Sequence, residues 1–308
     1  MKKAWVKIGL VLLPVILVYM LFPVDKRSRY LGLKDDCFNH GIWIYDRIHL
    51  NNKPVDVAFI GSSHTVNGIN DRLIEDSLKS KDLSIVNLGY CRLGRNLSYA
   101  IIKELLKTKH PKMVVIEVME DEDRYSHPVF PYIAETKDVF APTLLFNRDI
   151  EADMQEAILY KLTMIQQEFF SPVAKVPVSL ENFGFACSPD TASAASLLEV
   201  EKRQSFKKAE LSTTERNFHM KYPRYYIREI GELCKNEKIK LCFLYLPGYG
   251  SHSPLPRENE TYLKYGEVLC PPSSITKPKC NWKDEEHLNQ TGAAALSKWV
   301  SGELAIKL

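Results

Sequence analysis

The sequence of 308 residues predicts an α/β protein built around a parallel sheet, with one membrane-spanning helix before it. Short apolar segments bounded by turn residues alternate with segments whose apolar residues recur at helical spacing, which is typical of this class. An uncharged apolar run near the N-terminus predicts the membrane helix. The composition, 45% hydrophobic and 26% charged, is that of a globular protein and excludes collagen-like and disordered chains.

The N-terminal run covers residues 8–24 without a charge, and three apolar residues before Lys7 extend it to about the thickness of a bilayer core. Two lysines precede it, as in a signal peptide, but Lys26 and Arg27 stand where a small-residue cleavage site would be expected. We therefore predict a single-pass membrane protein in which residues 1–24 form a cytoplasmic tip and a transmembrane anchor. The rest of the chain is then extracytoplasmic. A cleaved signal peptide and a buried core helix are the alternatives.

The basic residues of the chain cluster around this run. There are 41 Lys and Arg against 38 Asp and Glu, and residues 1–30 alone hold six basic residues and one acidic residue. The remainder is close to neutral and lacks the basic excess that binding to nucleic-acid phosphates requires. The membrane is thus a predicted partner, and nucleic acid is not.

Residues 25–54 form a polar juxtamembrane segment with aromatic insertions such as Trp43, which predicts a packed lead-in rather than a flexible linker. The α/β domain is predicted to follow over residues 55–308. Its first part alternates strand and helix, with predicted elements at 55–60, 71–78, 83–88, 95–108 and 113–118. Such alternation predicts parallel strands joined by right-handed crossovers.

The second part of the domain is less regular. Stretches rich in Pro, Ser, Ala and aromatic residues predict an insertion at about 126–212 that caps the sheet and includes an amphipathic helix at 150–170. Beyond it, the pattern predicts a helix at 214–236, a strand at 240–246 and a last helix at 290–304.

Seven cysteines are present, none in a CxxC pair and none beside histidine at zinc-finger spacing, so the sequence predicts no metal site and no cofactor. Cys270 and Cys280 flank a loop rich in Pro, Ser and Lys and can pair in an oxidising compartment. Cys91 and Cys242 lie in apolar, strand-like surroundings and are predicted to be buried thiols. The odd number leaves at least one cysteine free or shared between chains.

The first motif that can carry chemistry follows the first predicted strand and reads Gly61-Ser62-Ser63-His64-Thr65. In open α/β sheets, ligands bind at the carboxyl ends of the strands. A serine on a tight turn there exposes its hydroxyl and its backbone N–H to the same space, as a nucleophile that also stabilises an oxyanion requires. The alternative is a serine that caps the following helix.

The second motif lies near the C-terminus and reads Asp284-Glu285-Glu286-His287. Residues three apart share one side of a helical turn, so the Asp284 carboxylate can hold His287 Nδ1 while Nε2 faces outward as a base. Alone, an Asp and a His at this spacing are more common in an ordinary surface loop. Together with the serine after the first strand, the pattern is much more specific.

The pair of motifs resembles the SGNH (GDSL-like) hydrolase superfamily, which has a G-D-S block at its first strand and a D-x-x-H block before its last helix. The resemblance places the nucleophile at Ser63, the base at His287 and the residue that orients the base at Asp284. Ser62 replaces the usual Asp of the first block. The resemblance further implies a flavodoxin-like three-layer sandwich with a central parallel sheet.

Two blocks of the superfamily are altered in this chain. In the second block, the glycine that donates to the oxyanion falls on Arg92. The third block lacks the usual Asn and follows a strand that carries Glu117 among apolar residues. The candidates for the oxyanion hole are therefore Ser63, Arg92, Gly89 and His64. Loss of one donor typically lowers the rate by about 10²–10³-fold.

The predicted function is that of a membrane-anchored serine esterase or O-acyltransferase that acts on an acyl ester of an envelope glycan or a similar acylated polymer. The N-terminal anchor and the Gly61-Ser62-Ser63 form of the first block resemble those of proteins that transfer D-alanyl groups to teichoic acid or acetyl groups to alginate. The alternative is an inactive binding or assembly module of the same fold that partners a membrane acyltransferase.

Overall fold

The structure, a computed structural model, describes residues 13–14, 18–19, 21–22, 24–33, 36–120, 122–139, 146–170, 184–205, 211–251 and 253–308. The predicted membrane segment, residues 8–24, lies for the most part outside them. Within these residues, no helix combines the length and the apolar character that crossing a bilayer requires.

Five parallel strands form one sheet in the order β2-β1-β3-β4-β5. Their bounds are β1 Val57–Ile60, β2 Ile85–Asn87, β3 Met113–Val118, β4 Lys240–Tyr245 and β5 Glu267–Leu269. The chain leaves β1 toward β2 on one side and returns to β3 on the other, which is compatible with a flavodoxin-like fold. The carboxyl end of β1 therefore lies at the switch point where such sheets bind ligands.

Helices cover both faces of the sheet. Their bounds are α1 Lys26–Leu31, α2 His40–His49, α3 Ser63–Gly68, α4 Asp71–Ser77, α5 Arg95–Leu105, α6 Phe130–Ile133, α7 Thr136–Val139, α8 Ile150–Phe170, α9 Ala194–Ser205, α10 Thr213–His219, α11 Lys221–Asn236, α12 Asn259–Leu263, α13 Ser273–Thr276 and α14 Gln290–Lys307.

Two hydrophobic cores separate the three layers. Because side chains alternate along a strand, Ala58 and Ile60 of β1 enter one core, whereas Val57 and Phe59 enter the other. Helices α2, α5 and α11 contribute to the first core, and α4 and α14 to the second. The core strands β1 and β3 are buried along their whole length, as parallel strands covered on both faces require.

The predicted elements agree with this structure in most of their bounds. Strand β3 has the predicted ends, β1 and β4 are one or two residues shorter at one end, and β2 is shorter at both ends. Strand β5 was not predicted, because three residues that begin with Glu267 are too short to form a pattern. The helix predicted at 214–236 is divided at Met220 into α10 and α11. The lead-in is packed, since α1 and α2 bury side chains in the first core.

The predictions for the cysteines were wrong in two respects. Cys91 is not a thiol but forms a disulfide with Cys37 of the lead-in. Cys270 and Cys280 do not pair and are both free, whereas Cys242 is a buried free thiol, as predicted. The two bonded cysteines lie 54 residues apart in sequence, and only the packing of the lead-in against the loop after β2 brings them together.

Candidate active site

The candidate site lies at the carboxyl end of β1. The strand ends at Ile60, Gly61 and Ser62 form the turn, and Ser63 is the first residue of α3. His287 and Asp284 lie in the loop that precedes α14, and α14 packs against α3 and so carries this loop to the serine. The structure therefore brings together the three residues that the sequence predicted for the site.

The three side chains form a continuous chain of hydrogen bonds. His287 Nε2 lies 2.7 Å from Ser63 Oγ. His287 Nδ1 lies 2.9 Å from Asp284 Oδ1 and 3.0 Å from Oδ2. A carboxylate is an acceptor, so Nδ1 carries the hydrogen and Nε2 offers its lone pair to the serine hydroxyl. This tautomer is the one in which His287 can remove the Ser63 proton.

Asp284 is held in its charged form. Partial burial alone would raise the pKa of this carboxyl group. The hydrogen bond with His287 and the backbone N–H groups of Glu286 and His287, each 2.8 Å from Asp284 Oδ1, outweigh burial and lower the pKa below its ordinary value. Because a carboxylate near the ring stabilises an imidazolium, Asp284 favours proton transfer from Ser63 to His287.

Glu117 of β3 shapes the turn that carries the nucleophile. The register of the sheet pairs Ile60 with Ile116, so Glu117 lies beside the turn that leaves β1. Its buried carboxylate accepts hydrogen bonds from the backbone N–H and the hydroxyl of Ser62, both at 2.7 Å. It also accepts from the Thr65 hydroxyl at 2.6 Å and from the Thr65 N–H at 3.2 Å. One side chain thus fixes both ends of the first turn of α3.

Gly61 is required by this arrangement. A Cβ atom at Gly61 would overlap the Thr65 hydroxyl and the Glu117 carboxylate. Ser62, in turn, caps α3, since its hydroxyl accepts from the His64 N–H at 3.2 Å. Sequence reasoning identified Glu117 as unusual in an apolar strand but assigned it no role. Its partners could be found only once the strand register was known.

The oxyanion candidates have different surroundings. Ser63 is the first residue of α3, so its backbone N–H has no acceptor within the helix and remains the candidate donor. The Gly89 N–H instead donates to Asn87 Oδ1 at 2.9 Å. The assignment of Gly89 as a donor is therefore wrong for this structure, because a short turn at the end of β2 uses its hydrogen.

The Arg92 side chain is also committed elsewhere. Its guanidinium donates to both carboxylate oxygens of Asp36, at 2.9 and 3.0 Å, in the lead-in. The backbone of Arg92 has φ of 72°, the left-handed conformation that glycine favours. The second block of the superfamily has a glycine at this position, and the conformation of Arg92 is the one that glycine favours. The backbone N–H of Arg92 therefore remains a candidate oxyanion donor, whereas its guanidinium does not.

His64 is oriented away from the role of a donor. Its Nδ1 lies 3.3 Å from the Leu246 carbonyl oxygen and 3.7 Å from Glu117 Oε1. Both neighbours are acceptors, so Nδ1 carries the hydrogen of the neutral ring and Nε2 carries a lone pair. With the hydrogen on Nδ1, His64 Nε2 has no hydrogen to donate to an oxyanion.

A small apolar cavity of about 20 Å³ adjoins His64 and Glu286. Its walls include Leu246, Ile275, Trp282 and Leu288. A volume of this size holds about one water molecule or one methyl group.

Models of known protein families gave no match to this chain, and neither did the curated protein sequences.

Proposed function

We propose that this protein is an SGNH-type serine esterase or O-acyltransferase whose nucleophile is Ser63. The observation that carries the proposal is the hydrogen-bonded chain in which His287 Nε2 lies 2.7 Å from Ser63 Oγ and Asp284 holds Nδ1. Its position at the switch point of a parallel sheet supports the proposal, because ligands reach that edge.

The chemistry follows from the positions of the protons. His287 takes the proton of Ser63 as the serine oxygen attacks the ester carbonyl carbon. The backbone N–H of Ser63 donates to the oxygen on which negative charge develops. The imidazolium then gives the proton to the departing alcohol, which leaves an acyl group on Ser63. Water or a sugar hydroxyl, deprotonated by His287, attacks this acyl group and releases the serine.

Two features support an extracytoplasmic position at a membrane. The disulfide between Cys37 and Cys91 is typical of proteins in oxidising compartments. Helix α8 exposes Phe169 and Phe170, at 66% and 81% of their surfaces, and Phe169 contacts Phe22 at the end of the predicted anchor. An exposed apolar end of a helix beside the anchor fits contact with the lipid surface.

The second candidate is a non-catalytic module that binds an acylated glycan or a membrane acyltransferase. The observation in its favour is the oxyanion hole, in which Gly89, His64 and the Arg92 guanidinium are all directed to other partners. Such a module would keep the triad geometry without turnover.

Hydrolysis of a short aryl ester distinguishes the two candidates. We expect the wild-type protein to release the phenolate and Ser63→Ala to lower kcat/KM by about 10³-fold or more. Ser77→Ala is the matched control, because Ser77 is exposed and its hydroxyl only donates to the Leu73 carbonyl within α4. Equal rates for Ser63→Ala and Ser77→Ala would contradict the proposal.

A further inference from the structure

We propose that the site is also a binding site for a zinc-class divalent metal ion, held by His64, Glu286 and His287, and that metal binding and activation of Ser63 exclude each other. The claim that metal binding prevents activation of Ser63 rests on the proposed function. One ligand atom from each of the three side chains lies within 4.8 Å of the others. The two histidine rings meet edge to face, with their centroids 5.3 Å apart.

Both histidines are oriented as metal ligands usually are. A metal-binding histidine typically donates its second ring N–H to a carboxylate or a carbonyl, which leaves the other nitrogen free for the metal. His287 directs Nδ1 to Asp284, and His64 directs Nδ1 to the Leu246 carbonyl. In each ring, Nε2 therefore presents the lone pair, and it is on the side away from the anchoring oxygen.

Glu286 supplies the third ligand at little cost. Its side chain is exposed, and within the described part of the chain its carboxylate makes no ion pair or hydrogen bond. Zinc bonds of about 2.0–2.1 Å place ligand atoms about 3.3 Å apart, and the three ligand atoms lie within 4.8 Å of one another, so they must approach by about 1.5 Å at most. The exposed Glu286 side chain can make the largest part of this movement.

The chemistry of the ligands selects the class of metal. Two imidazoles and one carboxylate suit Zn²⁺ and similar transition ions, whereas Mg²⁺ and Ca²⁺ prefer oxygen ligands alone. Three protein ligands leave a fourth position open to water. Asp284 and Glu117 add negative charge behind the two histidine rings, which favours a cation in front of them.

The consequence for Ser63 follows from the single lone pair of His287 Nε2. That lone pair accepts the hydrogen of the Ser63 hydroxyl at 2.7 Å. A metal ion bound to the same nitrogen removes the base, so the serine keeps its proton. The ion thus acts as a reversible block of the proposed acyl transfer.

Binding of Co²⁺ to the full-length protein in detergent tests the site without reference to catalysis. Tetrahedral Co²⁺ absorbs visible light, and Zn²⁺ should displace it. We expect His64→Gln and Glu286→Gln each to weaken binding by about tenfold or more, since even indirect partners of a ligand contribute that much. Glu285→Gln is the matched control, because the neighbouring Glu285 pairs with Arg203 instead. Equal affinity in all four proteins, or no tetrahedral spectrum in the wild type, would overturn the proposal.

Labelling by a fluorophosphonate, with and without Zn²⁺, tests the coupling. Each protein's labelling rate with Zn²⁺ is compared with its own rate without metal. We expect Zn²⁺ to slow labelling of the wild type and of Glu285→Gln. Labelling of Glu286→Gln should be slowed much less. A Co²⁺ spectrum without any labelling would mean that the metal site exists and the proposed function fails. Labelling that Zn²⁺ leaves unchanged while Co²⁺ is bound would overturn the coupling.

Discussion

At the residue scale, Asp284 decides which nitrogen of His287 carries the hydrogen. The replacement Asp284→Asn removes the charge, and the Asn amide can donate to Nδ1 and reverse the tautomer. We expect kcat for a short aryl ester to fall by about 10²–10⁴-fold with KM nearly unchanged, because the effect arises in the transition state. Glu285→Gln, one position further along the loop, should retain the wild-type kcat. A wild-type kcat in Asp284→Asn would exclude this role.

Glu117 is a positioning residue, since it acts through the turn that carries Ser63. In Glu117→Gln, an amide NH₂ replaces one of the two acceptor oxygens, so either the Ser62 hydroxyl or the groups that donate to Oε2 lose their acceptor. We expect the free energy of unfolding to fall by about 1–3 kcal/mol. A shifted serine should also lower kcat by about 10–10²-fold.

Glu120→Gln is the control for this prediction, because Glu120 contacts Arg257 at the surface. Denaturation with urea measures the first effect, and ester hydrolysis measures the second. Loss of stability together with an unchanged kcat would show that Glu117 supports the fold and does not position the nucleophile.

At the scale of elements, the disulfide joins the lead-in to the loop after β2. Asp36 reinforces the same connection, since it binds both Arg92 and the Tyr90 hydroxyl. The bonded cysteines are 54 positions apart, and for a loop of this length the entropy that the bond removes from the unfolded chain corresponds to about 4 kcal/mol.

Replacing Cys37 and Cys91 together by Ser should therefore lower the free energy of unfolding by about 2–4 kcal/mol. The same variant should label more slowly with a fluorophosphonate, because the loop that carries Arg92 loses its tie to the lead-in. Cys280→Ser, which removes an exposed free thiol, is the control. A double variant as stable as Cys280→Ser would contradict the disulfide in solution.

At the scale of the whole molecule, the pH dependence of stability has identifiable sources. Burial lowers the pKa of His127 to about 4 from an ordinary 6.5. Its ring is neutral, donates from Nε2 to the Cys91 carbonyl at 2.7 Å and accepts the Val129 N–H at Nδ1. Burial raises the pKa of Asp71 and of Asp153 to about 6. The stability that these two aspartates contribute is lost as the pH rises, whereas that of His127 is lost as the pH falls.

The sign for His127 follows from proton binding. Between pH 6.5 and pH 4, the unfolded chain binds a proton at His127 that the folded chain does not bind. The stability that His127 contributes is therefore complete above pH 6.5 and is lost as the pH falls toward 4. When the pH is lowered from 7 to 5, we expect the free energy of unfolding of the wild type to fall by about 2 kcal/mol more than that of His127→Gln.

Urea denaturation of both proteins at the two pH values measures this difference, and the aspartates cancel because both proteins contain them. An equal change in the two proteins would contradict the lowered pKa of His127.

Much of this molecule could be predicted from the sequence. Apolar runs in the sequence predict the interior strands, and the alternation of strand and helix predicts a parallel sheet. Ser63, Asp284 and His287 were predicted because each lies in a short local motif. The apolar runs and the two motifs each consist of residues that are close together in the sequence.

Features that depend on tertiary contacts could not be predicted in this way. The partner of Cys91 is set by the packing of the lead-in, the hydrogen bonds of Glu117 by the register of β1 and β3, and the orientation of His64 by the end of β4.

The most direct test of the central claim is to locate the adduct of a fluorophosphonate by peptide mass spectrometry. The triad geometry predicts one modified residue, Ser63, with labelling lost in Ser63→Ala and strongly slowed in His287→Gln. An adduct on another serine, or undiminished labelling of Ser63→Ala, would contradict the assignment of Ser63 as the nucleophile.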